Sequence, residues 1–232
     1  DLISELVDSL KRHGANFDRE EIPFSVCGKL VPGDYEINGE ISSQYITGLL
    51  LSLPILGKES RITVQGNAVS ASYLDITLDV LNQFGIFPQK TSDGFIIKGN
   101  ERYTSPGEIS LEADWSGACF YAVAGALSGR IKIFGLNPLS KQGDRIVMDL
   151  LKKAGGNVLV ENNGIVFSQG KIESLEFSAK NCPDIVPIMS ILLARAEGKS
   201  IIAETERLRL KESDRLSAIL EILRVFGVDA ES

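Results

Sequence analysis

Hydrophobic and polar residues along this chain follow a pattern that recurs at a fixed spacing. Four segments carry apolar residues at the 3.6-residue period of an amphipathic helix and end on a glycine. The closing glycines, Gly14, Gly85, Gly155 and Gly227, lie 71, 70 and 72 residues apart. Each suits the position just after a helix, where glycine accepts a left-handed conformation at low cost. Four such helices at one spacing predict an internal repeat.

The residues between these helices repeat as well. About thirty residues after a closing glycine, a capping-type residue precedes a segment of small and apolar residues, which predicts a buried helix. A glycine turn and a β-branched strand follow. The predicted buried helices are residues 43–51, 116–126 and 184–194, and the strands that follow them are residues 61–64, 130–133 and 200–202.

The repeating unit is therefore β-α-β-α-β-β, used three times, with the first copy represented only by its last helix and strands. Helices buried under sheets from successive units predict an α/β fold of two helix-filled, sheet-walled domains. We place the crossing at residues 111–114 and predict domains at residues 1–112 and 113–232. Because the chain begins without Met inside a predicted helix, and stops just after another, we expect it to be a segment of a longer polypeptide.

Residues 207–215 form a strongly charged stretch with a pattern of its own. If the first half is extended, Arg207, Arg209 and Lys211 point to one side with period two. A helix is predicted to begin near Ser213, which can cap free backbone N–H groups. Its apolar face is formed by Leu216, Ile219, Leu220, Leu223 and Phe226.

The corner between this strand and helix brings charges of both signs together. Lys211 and Arg215 can converge on the positive end of the helix dipole, with Glu212 and Asp214 between them. Such a corner can hold an anion and also carry an acid/base carboxylate. The ordinary alternative is a solvated charged turn with local ion pairs.

Two further groups of polar residues stand at predicted helix starts, where free N–H groups favour anions. Ser42, Ser43 and Gln44 offer two hydroxyls and an amide, which suit a phosphate. Ser70 and Tyr73 open the next helix of the same repeat, and their hydroxyls can face the same ligand. The alternatives are an ordinary N-cap and an exposed helix start.

Asp184 opens a predicted buried helix behind Cys182-Pro183. By default it is a cap, and it can also accept a proton from a substrate hydroxyl once water is excluded. Asp114 occupies the equivalent place in the preceding repeat and is interpreted as structural.

The segment 141–145 corresponds in the repeat to residues 211–215 and shares its charge outline. It has Gln142 where the later corner has Glu212. Because only the later corner has a carboxylate directly after its lysine, at Glu212, we assign the chemistry to that corner.

The composition narrows the class of protein. An apolar content of 44% and a charged content of 24% are typical of a soluble globular protein, and a net charge of −7 argues against a broad nucleic-acid surface. The three cysteines, Cys27, Cys119 and Cys182, lie far apart without metal-type spacing, which indicates reduced thiols in a cytoplasmic protein. The single histidine, His13, makes neither a metal site nor a triad. Nucleotide-binding motifs and membrane-length apolar runs are absent from the sequence, so we expect no cofactor, no metal and no membrane partner.

The chain resembles the EPSP synthase family, the 3-phosphoshikimate 1-carboxyvinyltransferases, over its whole length. Of the matching segments, Pro183-Asp184 and residues 209–215 are the most specific. The segments that carry the resemblance are residues 42–45, 69–77, 112–116, 183–184 and 209–215. The resemblance implies two domains, each of three β-α-β-α-β-β units, in the inside-out α/β barrel of enolpyruvyl transferases.

The reaction that the resemblance implies belongs to the shikimate pathway of aromatic amino acid biosynthesis. The enolpyruvyl group of phosphoenolpyruvate passes to the 5-hydroxyl of shikimate 3-phosphate, and phosphate is released. The implied enzyme is cytoplasmic, monomeric when full length, and acts without a cofactor. The family's N-terminal lysine, its phosphoenolpyruvate loop and its late basic residues have no counterpart in this chain, so we expect the segment to be inactive alone.

In the first predicted domain, the resemblance implies a substrate-binding surface. Ser42, Ser43 and Ser70 match binders of the shikimate 3-phosphate group. Gln44 matches a residue between the two substrates, and Tyr73 matches a residue that lines the shikimate pocket.

In the second predicted domain, the resemblance implies the reacting groups. Asp184 matches the carboxylate that holds the shikimate hydroxyls and is a candidate base. Lys211 matches a lysine that serves shikimate 3-phosphate and the reacting centre, and Glu212 matches the acid/base for proton transfer at the enolpyruvyl methylene. Arg215 matches an arginine that grips phosphoenolpyruvate, whereas Arg207 stands where some members carry asparagine.

Two other interpretations stay open at this point. The sister enzyme that transfers enolpyruvyl to UDP-N-acetylglucosamine shares the fold, but it lacks the Lys-Glu-Ser-Asp-Arg corner and relies on a reactive loop cysteine. A non-catalytic scaffold of the same fold predicts no phosphorylated ligand.

Overall fold

A computed structural model describes residues 3–40, 42–66, 71–211 and 213–232. Contacts within the chain divide it into two units, residues 1–109 and 110–232. The predicted domain boundary, between residues 112 and 113, lies three residues beyond this division and stays a prediction. In the described part of the chain, no helix is long and apolar enough to cross a membrane.

Among its described residues, the first unit contains a four-stranded sheet, three α-helices and a short 3-10 helix at Leu53–Ile55. Its elements are α1 (Ser4–Arg12), β1 (Ala15–Phe17), β2 (Val26–Gly28), β3 (Asp34–Asn38), α2 (Ser43–Ser52), β4 (Ser60–Gln65), α3 (Ala71–Gln83), β5 (Gln89–Lys90) and β6 (Gly94–Ile97). The sheet order is β3-β4-β6-β5, with β3 and β4 parallel and the other neighbours antiparallel. A separate antiparallel pair joins β1 to β2.

The core of the first unit lies between this sheet and α2 and α3. Alternate residues of β3, Tyr35 and Ile37, point inward with Ile62 of β4, and all three are almost fully buried. The helices contribute Ile46, Leu49, Leu50, Leu74 and Leu81. Burial of one sheet face under two helices is what the alternating strand pattern predicts.

The second unit repeats this sheet order in two pieces. Its elements are α4 (Trp115–Ser128), β7 (Arg130–Ile133), α5 (Val147–Lys153), β8 (Asn157–Glu161), β9 (Gly164–Ser168), β10 (Glu176–Ser178), α6 (Val186–Leu193), β11 (Ile201–Ala203) and α7 (Arg215–Val225). Short 3-10 helices at Gly143–Ile146, Pro183–Ile185 and Glu206–Leu210 precede α5, α6 and α7. The order β7-β9-β8 matches β4-β6-β5, and the parallel pair β10-β11 matches β3-β4.

The glycines that close the four amphipathic helices have the predicted conformation. Their φ angles are 95° at Gly14, 81° at Gly85, 88° at Gly155 and 74° at Gly227. At Gly155 a side chain is also excluded by space, because an added Cβ would lie 2.1 Å from the carbonyl oxygen of Lys171. The prediction of glycine C′ ends is confirmed at all four positions.

Two predictions around residues 207–215 are wrong. Residues 206–210 form a 3-10 helix rather than an extended strand, because Glu204 at φ 57° ends β11 and the N–H of Leu208 bonds the Thr205 carbonyl at 2.9 Å. Leu208 is then fully buried. The following helix begins at Arg215, with Asp214 instead of Ser213 as its N-cap.

The predicted burial of some helix faces is only partly correct. Leu216, Ile219 and Leu223 of α7 are buried as predicted, but Phe226 is 77% exposed. In α4, Phe120 and Tyr121 are exposed although the helix is apolar nearly all round. Phe120 and Tyr121 are exposed because β7, β9, α5 and α6 pack against the opposite side of α4.

Candidate functional site

The predicted site residues fall in two groups, one in each unit. The group in the first unit is Ser42, Ser43, Gln44 and Tyr73, and the group in the second unit is Asp184, Arg207, Lys211 and Arg215. Ser70 and Glu212 lie outside the described residues.

The start of α2 has the cap that its sequence predicts. Ser42 is extended, and its hydroxyl oxygen accepts a hydrogen bond from the N–H of Gln44 at 3.2 Å. Ser43 is buried and Gln44 is exposed. The N-cap interpretation of Ser42 is thus correct, and its hydroxyl proton can still be donated to an anion.

The start of α3 is tied to α2 one turn further on. The hydroxyls of Thr47 and Thr77 lie 2.9 Å apart, and the Thr77 hydroxyl also donates to the carbonyl of Tyr73 at 2.8 Å. Ser43 precedes Thr47 by about one turn, and Tyr73 precedes Thr77 by about one turn. The first turns of α2 and α3 therefore lie beside the contact between Thr47 and Thr77. Tyr73 is 51% exposed.

Asp184 makes ion pairs with two cations. Nη1 of Arg215 donates to its Oδ1 at 2.6 Å, and Nζ of Lys211 lies 3.7 Å from the same oxygen. The three side chains are each between 26% and 29% exposed. Asp184 is not the N-cap that its position predicts by default: it lies inside the 3-10 helix, whose N-cap is Cys182, and the N-cap of α6 is Ile185.

Local structure holds Lys211 and Arg215 in place to reach Asp184. Asp214 caps α7 by accepting from the N–H of Ser217 at 3.0 Å, which fixes the first turn that carries Arg215. Arg209 donates to Asp214 and to the Ser217 hydroxyl at 3.2 and 3.1 Å, which joins the preceding 3-10 helix to the same turn. Arg207 lies in that 3-10 helix and is half-buried.

The arrangement can do two things chemically. Two cations and one carboxylate leave a net positive charge beside a helix start, which attracts an anionic substrate. The carboxylate of Asp184 can accept a proton or a hydrogen bond from a substrate hydroxyl. Lys211, Asp184 and Arg215 are hereafter the Asp184 cluster.

The corresponding segment of the preceding repeat is used for structure, as the sequence indicates. Oε1 of Gln142 accepts from the N–H of Trp115 at 2.8 Å, and Asp114 accepts from the N–H groups of Ser116 and Gly117 at 3.2 and 2.6 Å. These three bonds satisfy the first N–H groups of α4 from within the chain. Arg145, in the 3-10 helix before α5, donates to Asp149 of α5 at 3.1 Å and to the carbonyl of Pro138 at 3.2 Å, whereas Arg215 donates to Asp184.

One buried carboxyl group of the second unit, Asp144, is not among the candidates that the sequence provides. Asp144 is only 6% exposed, and the hydroxyl of Ser116 donates to its Oδ2 at 2.5 Å. Burial raises the pKa of Asp144, the Ser116 bond lowers it, and the charges of Asp184 and Lys211 act on it in opposite directions. The signal that could have pointed to it is its place in the repeat, since it corresponds to Asp214.

A family model described as EPSP synthase (3-phosphoshikimate 1-carboxyvinyltransferase) matches residues 3–232 of this chain. The chain belongs to the EPSP synthase family.

A curated relative of the same name is found in Clostridium novyi (strain NT). The 3-phosphoshikimate 1-carboxyvinyltransferase of that organism is 39% identical over 210 residues, which cover 90% of this chain and 48% of the relative. The chain thus spans about half the length of the curated relatives it matches.

Solved structures show the same fold. The EPSP synthase from Acinetobacter baumannii superimposes with a TM-score of 0.77 at 21% identity, covering 98% of this chain and 54% of that one. The enolpyruvyl transferase NikO from Streptomyces tendae gives a TM-score of 0.63 at 18% identity, covering 88% of this chain and 52% of that one. The predicted α/β enolpyruvyl transferase fold is confirmed.

Membership of the EPSP synthase family gives the observed geometry a chemical context. Asp184, Lys211 and Arg215, which the sequence places up to 31 residues apart, come together in the second unit. Ser42, Ser43, Gln44 and Tyr73 lie at two helix starts of the first unit. The individual roles of these residues stay predictions.

Proposed function

We propose that this chain is part of a 3-phosphoshikimate 1-carboxyvinyltransferase. The complete enzyme transfers the enolpyruvyl group of phosphoenolpyruvate to the 5-hydroxyl of shikimate 3-phosphate and releases phosphate. The observation that carries the proposal is the Asp184 cluster, two cations on one carboxylate oxygen, in a chain of the EPSP synthase family.

The chemistry of the transfer calls for groups of this kind. A bond forms between the 5-oxygen of the acceptor and the central carbon of the enolpyruvyl group, and the bond from that carbon to the phosphate oxygen breaks. The hydroxyl proton must be accepted, and both substrates are anions that must be held. Asp184 supplies the carboxylate, and Lys211 and Arg215 supply the charge.

The methylene carbon of the enolpyruvyl group gains a proton on addition and loses one on elimination. In our proposal Glu212, which lies between Lys211 and Arg215 in the sequence, exchanges that proton. Arg207 is proposed to contact the phosphorylated substrate from the 3-10 helix before Lys211.

Substrate-binding roles are also proposed for residues of the first unit. Ser42, Ser43 and Ser70 are proposed to bind the 3-phosphate, with Gln44 between the substrates and Tyr73 beside the shikimate ring. The capped start of α2 supports this role for Ser42, because hydroxyls and N–H groups at a helix start suit a phosphate.

The proposal extends to the location and the oligomeric state of the complete enzyme. We propose that it works in the cytoplasm, full length as a monomer, without a nucleic-acid or membrane partner. Support comes from the three cysteines, which are all unpaired thiols, and from the net charge of −7.

A chimera tests the proposal. The matching half of the Clostridium novyi relative is replaced by this chain, and phosphate release from the two substrates is followed. We expect turnover, and a loss of about 100-fold or more with Lys211→Ala or Glu212→Gln, because each removes a charge or proton carrier at the reacting centre. Lys153→Ala is the matched control, since Lys153 is an exposed lysine at the end of α5.

A folded chimera without turnover would contradict the proposal. Unchanged activity in Glu212→Ala would contradict the proposed role of Glu212, and a folded chimera that binds neither substrate would favour a non-catalytic scaffold. Turnover with UDP-N-acetylglucosamine in place of shikimate 3-phosphate would favour the sister enzyme. We expect the isolated chain to show no turnover, because it spans about half of its relatives.

A further inference from the structure

Two threonine hydroxyls form a polar contact between the helices of the first unit. Thr47 of α2 and Thr77 of α3 are 30 residues apart in the chain, and their Oγ1 atoms lie 2.9 Å from each other. Thr77 is only 8% exposed, and both helices place apolar side chains in the core of the unit. Replacing both partners of a buried hydrogen bond by apolar groups of the same shape can leave stability nearly unchanged, so packing alone does not require these hydroxyls.

The two hydrogen bonds of the Thr77 hydroxyl have one consistent direction. This hydroxyl carries one proton, and the carbonyl oxygen of Tyr73, 2.8 Å away, is an acceptor only. The proton of Thr77 therefore goes to Tyr73, and Thr47 donates the bond between the two threonines. The result is a directed chain of hydrogen bonds from the Thr47 hydroxyl, through the Thr77 hydroxyl, to the Tyr73 carbonyl.

This hydroxyl chain joins the two helix starts that carry the candidate binding residues of the first unit. Tyr73 stands in the first turn of α3, which begins at Ala71. Thr47 stands about one turn after Ser43, the first residue of α2. About half of Tyr73 is exposed, so burial restrains this residue less than the core residues of the same helix. The hydroxyl chain links its backbone carbonyl to α2.

The second unit provides an internal comparison. Thr47 is the fifth residue of α2, and Cys119 is the fifth residue of α4. Thr77 lies eight residues before the closing glycine that follows α3, and Val147 lies eight residues before the one that follows α5. Cys119 and Val147 are fully buried, and Cys119 donates within its own helix, to the carbonyl of Ser116 at 2.8 Å. The packing of α4 with α5 is thus built with a thiol and a valine at these two positions.

The difference between the two repeats follows the difference between their proposed roles. In the second unit, Asp114 and Gln142 satisfy the start of α4 from within the chain. In the first unit, the starts of α2 and α3 carry candidate binders of one phosphorylated substrate. A ligand that is held by two helix starts requires a fixed distance between them. A satisfied hydrogen bond inside a helix interface fixes that distance more narrowly than apolar contact does, because its geometry is restricted.

We propose that Thr47 and Thr77 are positioning residues, which fix the start of α3 relative to the start of α2 so that both contact the same phosphorylated substrate. This inference rests on the proposed function of the first-unit residues. The two hydroxyls act through the carbonyl of Tyr73 and through the helix turn that Ser43 begins. Thr77→Val removes both bonds of the chain, whereas Thr47→Val leaves the bond from Thr77 to Tyr73 in place. The first substitution therefore has the larger effect.

The first test needs no substrate. Amide hydrogen exchange of α3 is measured in the wild-type chain and in Thr77→Val, Thr47→Val and Thr104→Val. Thr104 is an exposed threonine of the same unit and serves as the control. Valine has nearly the volume of threonine, so each variant loses mainly a hydroxyl. We expect exchange over residues 72–78 to be fastest in Thr77→Val, intermediate in Thr47→Val and unchanged in Thr104→Val. Equal exchange in all four proteins would overturn the inference.

The second test separates positioning from a purely structural role. In the chimera with the Clostridium novyi relative, KM for each substrate is measured in the same variants and in Thr77→Ser, which keeps a hydroxyl. We expect Thr77→Val to raise KM for shikimate 3-phosphate by about tenfold, because small displacements of aligned groups have effects of at least that order. KM for phosphoenolpyruvate should change little, since its proposed contact, Arg215, lies in the second unit. Thr77→Ser should restore most of the loss.

Equal increases of KM for both substrates, or no increase in Thr77→Val, would overturn the positioning role. The exchange measurement distinguishes this failure from a failure of the proposed function. If the parent chimera folds but shows no turnover while the exchange differences are present, the proposed function fails. The positioning role then fails with it, although the hydroxyl chain stands.

Discussion

Asp184 is stabilised by side-chain cations and not by helix N–H groups, and this determines what it can do. A capping carboxylate is committed to the backbone, whereas Asp184 is held by Arg215 at 2.6 Å and by Lys211 at 3.7 Å. An anionic substrate can compete for those two cations and leave the carboxylate to a hydroxyl group. The pairs are more than one quarter exposed, so solvent screens them and the rearrangement is inexpensive.

Asp144 gives a pH dependence of stability that can be measured separately. The pKa of Asp144 is raised in the folded state, mainly by burial. Stability is therefore lost as pH rises above the pKa that Asp144 has in the unfolded chain, because the folded state disfavours the ionised carboxylate. Asp144→Asn removes that cost and keeps the acceptor for Ser116. We expect the variant to gain stability relative to wild type from acidic to neutral pH, and to gain little at pH values below the unfolded pKa.

The measurement is urea unfolding at several pH values, followed by the fluorescence of Trp115. Trp115 is the one tryptophan of the sequence and is fully buried in the second unit. Asp229→Asn, which removes an exposed carboxylate from the same unit, is the control and should change the free energy of unfolding little at any pH. A difference between Asp144→Asn and wild type that does not vary with pH would contradict the assignment.

Helix α4 depends on a cap made entirely by its own repeat. Asp114 accepts from two N–H groups and Gln142 from a third, so α4 is fixed before any ligand binds. We expect Asp114→Ala to lower the free energy of unfolding of the second unit by about 1 kcal/mol, and Asp114→Ser to lose less, because serine can also cap. Trp115 fluorescence in urea measures both, and equal losses in the two variants would rule out capping as the cause.

The elements themselves were largely predictable, and the exceptions have physical reasons. Period and glycine position locate α1, α3, α5 and α7, since these signals are local in the sequence. Residues 206–210 form a 3-10 helix where the sequence predicts a strand. The alternation of Arg and Leu is compatible with either structure, because both can bury Leu208 and leave the arginines outside. Burial of Asp144 depends on Ser116, 28 residues away, and a single sequence does not show that contact.

The part of the candidate site that lies within residues 211–215 was predictable, because its charged residues are close together in the sequence. Lys211 and Arg215 were expected to converge, and they do so on Asp184. Their target could not be derived from spacing, because Asp184 lies 31 residues before Arg215 and a cap is its default interpretation. Comparison of the repeats was more informative than spacing. Gln142 and Glu212 occupy equivalent positions, and this difference indicates the later corner as the reactive one.

The molecule as a whole divides at residues 109 and 110, and the connecting segment offers a direct test. Residues 102–110 are exposed and have no regular secondary structure. We expect a glutamate-specific protease at low concentration to cut after Glu108 and to leave two protected fragments, residues 1–108 and 109–232. Mass spectrometry identifies them, and Glu108→Gln should abolish both; fragments that are degraded as fast as they form would contradict two independently folded units.

The central claim is that the candidate site residues of this chain, Lys211 among them, bind shikimate 3-phosphate. Calorimetric titration of the chain with that compound tests the claim most directly. We expect saturable binding, weakened about tenfold or more in Lys211→Ala, because a hydrogen bond to a charged group contributes about 1.5–3 kcal/mol. Lys153→Ala removes the same charge from an exposed position and should bind like the wild type. Absence of saturable binding, or equal weakening by the two substitutions, would contradict the account.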